Sequence, residues 1–567
     1  MLQDKQAFVA DILSRMSLDQ KVGQCITFEF AGTRVDWHAY DKILRHQVGG
    51  VRVTPHIYTE EAYGTRLVGG AEEQRLSPYA PPEVYARILN RLQEIALSRE
   101  PAIPLHISSD QEGDWSQDYA RGGVHLFPSA MGMSATNDAD WVYRAYRLVA
   151  RQQRAVGIRQ LHTPCLDVNI EPKNPEICTR SFGDDPDRCI EFGLAQLRAF
   201  RDEGLIATGK HFPGRGDSAV DVHFAVDVNR ADRKRLEEVE LAPYRALIAE
   251  GLPCVMTAHT IYPALDADEM PASVSRRITT DLLREQMGFE GVITTDAMGM
   301  GGVMKKFATY GQACAAAIAA GADLVLSKCD ASRRDEVFDT VKQYVQDGKI
   351  PMGELDAHVR RILSLKFDYG LFAEPFVQAD RAAEPIRDPG SATLCKLTAL
   401  NAAVLVRDEA SLLPLSPDVP VAVVEQRYPL YQNKADDYWW HSNMLQEFVR
   451  EHARTVFDCE TDLKVGEEQN RRVLETADKV EVVIALSFFW RGNPTNSELV
   501  AELIRRGKKV ILIAATPYEN ICLPQAQTLV VTFAAVPRSL EAAAEIIYGR
   551  AQPGGTWPLK HYRLKGV

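Results

Sequence analysis

The stretch KHFPGRGDSAVDVH, Lys210 to His223, holds two histidines, two aspartates, a lysine and an arginine. Pro213, Gly214 and Gly216 force a tight loop through its middle. Asp221 and His223 follow two residues apart, so in extended chain their side chains point the same way. A carboxylate beside an imidazole holds its tautomer and stabilises the imidazolium, as a general acid/base requires. Asp296, in GVITTDAMGM, is the second chemical candidate. With Lys210, His211 and Arg180 as counter-charges it could stay ionised and act as a nucleophile. Capping the next helix is the plainer use of such an aspartate.

Blander readings apply to the loop as well. A single histidine is more often a structural hydrogen-bonding residue than a reactive one. His211, Asp221 and His223 match no familiar metal-ligand spacing, so no metal and no other cofactor is expected. The embedded GRGDS equals a short cell-adhesion peptide, but five residues recur by chance, and a turn explains its glycines.

These residues need elements to position them. Eight strand-like apolar runs precede residue 331: 23–30, 49–55, 104–110, 159–169, 205–211, 252–259, 291–296 and 322–328. Most are short enough for buried strands. Helical patterns separate most of them, among them PEVYARILNRLQEIALS and ADWVYRAYRLVARQQRAVG. Eight strand–helix units predict an α/β fold with an N-terminal (β/α)8 barrel of the TIM type. Catalytic groups then belong at the C-terminal strand ends. Reading those ends gives Asp110, Asp167, Asn169, Lys210, His211, His259 and Asp296. The segment 56–82 is long for a βα connection, which suits a functional lid, disorder or a subunit contact.

After residue 366 the composition turns Pro- and charge-rich. The expected domains are a catalytic barrel over 1–372, a linker over 373–395 and a smaller α/β sandwich domain with a mostly parallel sheet over 396–567. Strand candidates there are VPVAVVEQ, KVEVVIALSFF, KVILIAATP and TLVVTFAAV. No glycine-rich nucleotide motif occurs in a strand–turn–helix context. Trp439, Trp440 and Trp490 are aromatic candidates for a sugar site or for ordinary packing.

The net charge of −12 is spread along 567 residues, which argues against nucleic acid as a partner. No run of about 18 apolar residues predicts a membrane span. The N-terminus lacks a secretory h-region and the ten cysteines form no framework, so a cytoplasmic protein with reduced thiols is expected.

The ordered motifs MSLDQKVGQ, SSDQEG, FPSAMGMSAT, LDVNIEPKNPEICTRSFGDDP, KHFPGRGD with DVH, VMTAH, GVITTDAMGM, NAAVLVRDEASLLPL and PGGTWPL run through nearly the whole chain. Together the chain resembles glycoside hydrolase family 3, most closely its β-N-acetylhexosaminidase branch. The resemblance implies that Asp296 is the nucleophile and His223 the general acid/base, oriented by Asp221. It implies that Asp110, Arg180, Lys210 and His211 grip the terminal sugar. Three residues depart from the family pattern: Arg215 stands where a histidine is usual, and Asp114 and Trp115 where a glycine and an arginine are common. All three are acceptor-side candidates, expected at the rim.

The resemblance therefore implies an exo-acting retaining β-N-acetylhexosaminidase, with terminal N-acetylglucosamine as the expected sugar on an oligosaccharide or glycoconjugate. A β-glucosidase-like or phosphorolytic relative and a non-catalytic sugar-binding protein are the alternatives. Monomer and homodimer stay open.

Overall fold

The structure is a computed structural model and describes residues 2–55, 57–58, 75–76, 80–223, 225–329, 331–426, 443–489 and 495–567. Trp439, Trp440, Trp490 and most of the 56–82 segment lie outside the described residues.

Two compact units form. The first comprises 1–111, 146–167 and 196–385, and the second 112–145, 168–195 and 386–567. The second unit thus takes in two stretches that the sequence reading assigns to the barrel. The reason is visible in their contacts. Asp114 accepts the Ala535 backbone N–H at 2.8 Å, and Asn169 donates to the Tyr518 hydroxyl at 2.5 Å. Met131, Ala135 and Cys178 join the apolar core of the C-terminal sheet.

Eight strands close the barrel of the first unit: β1 (Ile26–Ala31), β2 (Gly50–Thr54), β3 (His106–Ser109), β4 (Gln160–Leu161), β5 (Ile206–Phe212), β6 (Cys254–Thr257), β7 (Val292–Ala297) and β8 (Leu324–Ser327). Neighbours in chain order pair in parallel, and β8 pairs with β1. Every residue of β5 and β7 is buried, as expected of strands covered on both faces. Only two residues of the 159–169 run are regular strand. Pro164 lacks a ladder donor, and pairing resumes at a single bridge between Cys165 and Lys210.

Local sequence signals set the element ends. Ser17 and Gln20 form a reciprocal capping box at the helix Leu18–Gln24. At the N-terminal strand ends, Asp323 leads into β8 and is fully buried. It accepts from His358, Arg361, Arg284 and the Ile293 N–H at 2.7 to 2.8 Å, tying the last strands to the helices outside them.

The second unit carries a six-stranded sheet: β9 (Val404–Asp408), β10 (Val421–Gln426), β11 (Val456–Thr461), β12 (Val482–Ser487), β13 (Lys509–Ala514) and β14 (Thr528–Val531). Their order is β9-β14-β13-β12-β10-β11. Only the β9–β14 pair is antiparallel. All ten cysteines are buried and free. Among the described residues no helix is long and apolar enough to cross a membrane.

Candidate active site

The barrel brings its polar residues together at the C-terminal strand ends. Asp296, on β7, is 8% exposed. One of its oxygens accepts the Ala297 N–H at 2.7 Å, and the other lies 3.8 Å from His211 Nε2. His211, on β5, offers Nδ1 to Asp167 at 2.7 Å. Because a carboxylate only accepts, Nδ1 carries the proton and Nε2 faces Asp296. Asp167 is fully buried and also accepts the N–H groups of His211 and Arg215, at 3.2 and 2.6 Å.

Both carboxyls are held ionised. Burial pushes the Asp296 carboxyl up, but the imidazole of His211, with His259, Arg215 and His223, outweighs it and holds the group well below the usual range. Burial likewise opposes ionisation of Asp167, yet His211 and Arg215 bring it down to about 2.

His259 behaves otherwise. Its Nε2 lies 3.0 Å from the Ala297 carbonyl and its Nδ1 2.8 Å from the Ser273 hydroxyl. The carbonyl only accepts, so Nε2 carries the proton and Nδ1 accepts from serine. Burial brings this histidine down to about 4, so it is neutral at neutral pH. At that pH the charge beside Asp296 must come from other groups. His259 therefore staples the exits of β6 and β7.

A second cluster surrounds Asp110, just past β3. Arg52 Nη2 and Nε donate to one oxygen at 2.6 and 3.2 Å, and Lys210 Nζ donates to the other at 3.0 Å. Arg52 also binds Glu29 at 2.8 Å. Burial would raise the Asp110 carboxyl, but Lys210 and Arg52 hold it well below the usual range. His162 stands 3.4 Å from the same carboxylate. Such an array of two carboxylates, a guanidinium and an ammonium at a barrel mouth suits hydroxyl groups, which both donate and accept.

Asp221 and His223 form the third part. One Asp221 oxygen takes the His223 backbone N–H at 2.8 Å and the ring Nδ1–H at 2.7 Å. Val222, between them, points the other way into a buried cluster of Met256, Ala297, Met300 and Leu326. The carbonyls of Val222 and His223 accept N–H bonds from Gly302 and Gly301 at 3.0 and 3.1 Å. A Cβ on Gly302 would lie 3.2 Å from the His259 Cβ, so glycine permits this close approach. The loop with the imidazole is thereby tied to the turn that follows Asp296.

Some of the expected residues are described within the second unit. Arg180 belongs to the second unit and forms a two-pronged ion pair with Glu112 at 2.8 and 3.0 Å. Asp114 and half-buried Trp115 are also in that unit. Arg215 and Asp114 are 1% and 2% exposed, so neither forms a solvent-facing rim. Burial pushes the Asp114 carboxyl up to about 7. Arg52, Glu29 and His162 escaped the sequence reading. A charged residue inside an apolar strand run, as in VRVTP, was the available signal for Arg52. Cys165, Asp167 and His211 place donor atoms within 4.8 Å of one another. Asp167 already accepts both the His211 Nδ1–H and the Cys165 S–H, so the group is a hydrogen-bonded row.

Residues 17–365 match the family model described as the glycosyl hydrolase family 3 N terminal domain. A β-N-acetylglucosaminidase/β-glucosidase of Cellulomonas fimi is 29% identical over 492 residues, which are 82% of this chain and 85% of that protein. β-Hexosaminidase A of Pseudoalteromonas piscicida is 31% identical over 299 residues, about half of each chain. The solved structure of a family 3 β-N-acetylglucosaminidase from Paenibacillus sp. str. FPU-7 aligns with a TM-score of 0.83 and 28% identity, over 96% of this chain and 99% of that one.

Proposed function

Because the chain belongs to glycoside hydrolase family 3, in its β-N-acetylhexosaminidase branch, we propose that it is an exo-acting retaining β-N-acetylhexosaminidase that removes terminal N-acetylglucosamine. The observation that carries this is the Asp221–His223 pair, bonded at 2.7 Å and tied by backbone to the turn after Asp296.

In this reading Asp296 attacks the anomeric carbon while the His223 imidazolium gives its Nε2 proton to the glycosidic oxygen. The C–O bond to the leaving group breaks, and a glycosyl–Asp296 ester remains. Neutral His223 then takes a proton from water. The hydroxide so formed bonds to the anomeric carbon and releases Asp296 with net retention. Asp110, Lys210 and His211 hold the sugar, and Arg52 keeps Asp110 ionised. Because the acid is an imidazole, the spent catalyst is neutral and does not repel an anionic acceptor. That favours phosphorolysis as the second reading.

The test pairs an aryl β-N-acetylglucosaminide with the matching β-glucoside, each with and without phosphate. Turnover of the N-acetyl substrate to the free sugar is expected. Turnover of the glucoside alone overturns the proposal, and a sugar phosphate product selects the second reading. Asp296→Ala should abolish turnover of either substrate. His223→Ala should slow alkyl leaving groups far more than activated aryl ones.

A further inference from the structure

A cavity of about 600 Å³ opens in the first unit between Arg154, Arg159 and the segment 373–385. Arg159 immediately precedes β4, so the cavity lies at the N-terminal strand ends, whereas Asp110 and Asp296 stand at the C-terminal ones. We propose that this cavity binds a phosphate monoester with a flat or apolar body, its phosphate on Arg154 and Arg159 and its body against Phe376 and the flanking Pro375 and Pro385.

The walls are held in place. The Arg159 N–H donates to the Ile107 carbonyl at 2.8 Å, and its carbonyl accepts from Ile206 at 2.9 Å, so its backbone belongs to the barrel ladder. Its buried side chain makes one hydrogen bond among the described residues, to the Glu374 carbonyl at 2.6 Å. Arg154 stands in the last turn of the helix Ala139–Val156 and donates to the Glu203 carbonyl. Gly204 has φ of 64°, and a Cβ there would lie 3.2 Å from Arg154 Nη1, so glycine permits the approach. Arg154 Nε is buried and has no partner among the described residues. On the other wall the Asn90 amide takes the Val377 N–H at 3.0 Å and donates to its carbonyl at 2.9 Å.

The charge in this cavity is unbalanced. The hydrogen bonds of Arg154 and Arg159 go to backbone carbonyls, and among the described residues neither guanidinium pairs with a carboxylate. Arg381 also lines the cavity, but Glu384 takes it at 2.7 and 2.9 Å. Glu374 is exposed and forms no ion pair among the described residues. Burial, and then the Arg154 charge, bring Arg159 down to about 10, so it remains a cation at neutral pH. Two neighbouring cations disfavour each other, and a dianion relieves both. A phosphate monoester carries about −1.5 to −2 charges near pH 7, where a carboxylate carries one. Its oxygens also match the fork of a guanidinium. The cavity falls within the range of about 300–1,000 Å³ usual for small-molecule sites, more than a bare phosphate needs. Phe376 lines it and is 46% exposed, an apolar ring free to support a flat body.

The test is calorimetric titration of the full chain with phenyl phosphate, inorganic phosphate and benzoate, which has the flat body but a single charge. Phenyl phosphate should bind tightest of the three. Arg159→Met and Arg154→Gln should each weaken it about 10- to 100-fold, the worth of a charge-assisted hydrogen bond. Phe376→Ala should weaken phenyl phosphate and leave inorganic phosphate unchanged. Thermal melts check folding, and turnover of an aryl glycoside should be the same in all three variants. Should Arg159→Met fail to fold, Arg154→Gln and Phe376→Ala still decide. Benzoate or inorganic phosphate binding as tightly as phenyl phosphate would overturn the proposal. So would phenyl phosphate binding that the arginine variants leave unchanged and N-acetylglucosamine displaces, because that ligand would sit at the C-terminal strand ends.

Discussion

One oxygen of Asp221 accepts two hydrogen bonds from His223, from the backbone N–H at 2.8 Å and from ring Nδ1–H at 2.7 Å. The first bond fixes where the ring begins, and the second fixes which nitrogen carries the movable proton. Orientation and tautomer therefore depend on a single carboxylate oxygen.

Asp221→Asn tests this. The amide oxygen can still accept, but it carries no charge to stabilise the imidazolium. We expect kcat/KM for alkyl β-N-acetylglucosaminides to fall on the order of 10²–10⁴, the usual worth of a placed acid/base. Activated aryl substrates, which need little protonation, should lose far less in their glycosylation step. Steady-state and burst kinetics across a leaving-group series separate the two. An equal loss for all leaving groups would remove the dyad from the mechanism.

Val222 should matter without touching substrate. Its side chain is fully buried among Met256, Ala297, Met300 and Leu326, and it anchors the loop that carries His223. Val222→Ala leaves a small cavity costing roughly 2 kcal/mol and frees the loop to shift. A displacement of about 1 Å can cost on the order of a hundredfold in rate. The loss should fall on kcat for poor leaving groups, with KM little changed. An unchanged leaving-group dependence would show that Val222 serves packing alone.

The barrel was legible because most of the eight strand runs are apolar and short, and its interior tolerates few other patterns; the 159–169 run is the exception, with only Gln160–Leu161 in regular strand. Asp296 stood out because it closes such a run, whereas Asp221 and His223 stood out by their two-residue spacing in the loop beyond β5. Arg52 was hidden by the same logic, since it interrupts β2 and reads as a flaw in a strand. Its partners Glu29 and Asp110 lie on β1 and beyond β3, and only the closed barrel brings them together. The edge strand β11, VFDCET, was missed because it is mostly half-buried or exposed and shows no clean alternation. Asp114 and Arg215 share a deeper difficulty. Both are polar residues in glycine-rich loops, where sequence suggests exposure, yet tertiary contacts bury them almost completely.

Asp323 should govern acid stability of the barrel. Burial would raise its carboxyl, but His358, Arg361 and Arg284 bring it down to about 2. Because the folded value lies below the unfolded one, its stabilisation is complete above about pH 4 and is lost as pH falls towards 2. The shift corresponds to about 2 kcal/mol. Asp323→Asn leaves buried cations without their anion and should cost roughly 3–5 kcal/mol at pH 7. Its denaturation midpoint should also vary less between pH 4 and 2 than that of the unaltered protein. A variant as stable as the original at pH 7 would show that the cluster contributes nothing net.

Asp114 gives the opposite sign. Burial pushes its carboxyl up to about 7, against the help of N–H donors from Ala535 and Trp115. For an acid with a raised folded value, the folded state is penalised by ionisation. The penalty is absent below about pH 4, grows between 4 and 7, and then levels off. Three pH units correspond to about 4 kcal/mol. Asp114→Asn keeps an oxygen for the Ala535 N–H and removes the charge. Asparagine also tolerates the left-handed backbone here, where φ is 48°. The variant should therefore melt at least about 2 °C higher than the unaltered protein at pH 8. At pH 4 the two should melt together. A variant less stable at pH 8 would mean that the ionised carboxylate is held by partners stronger than those two N–H groups.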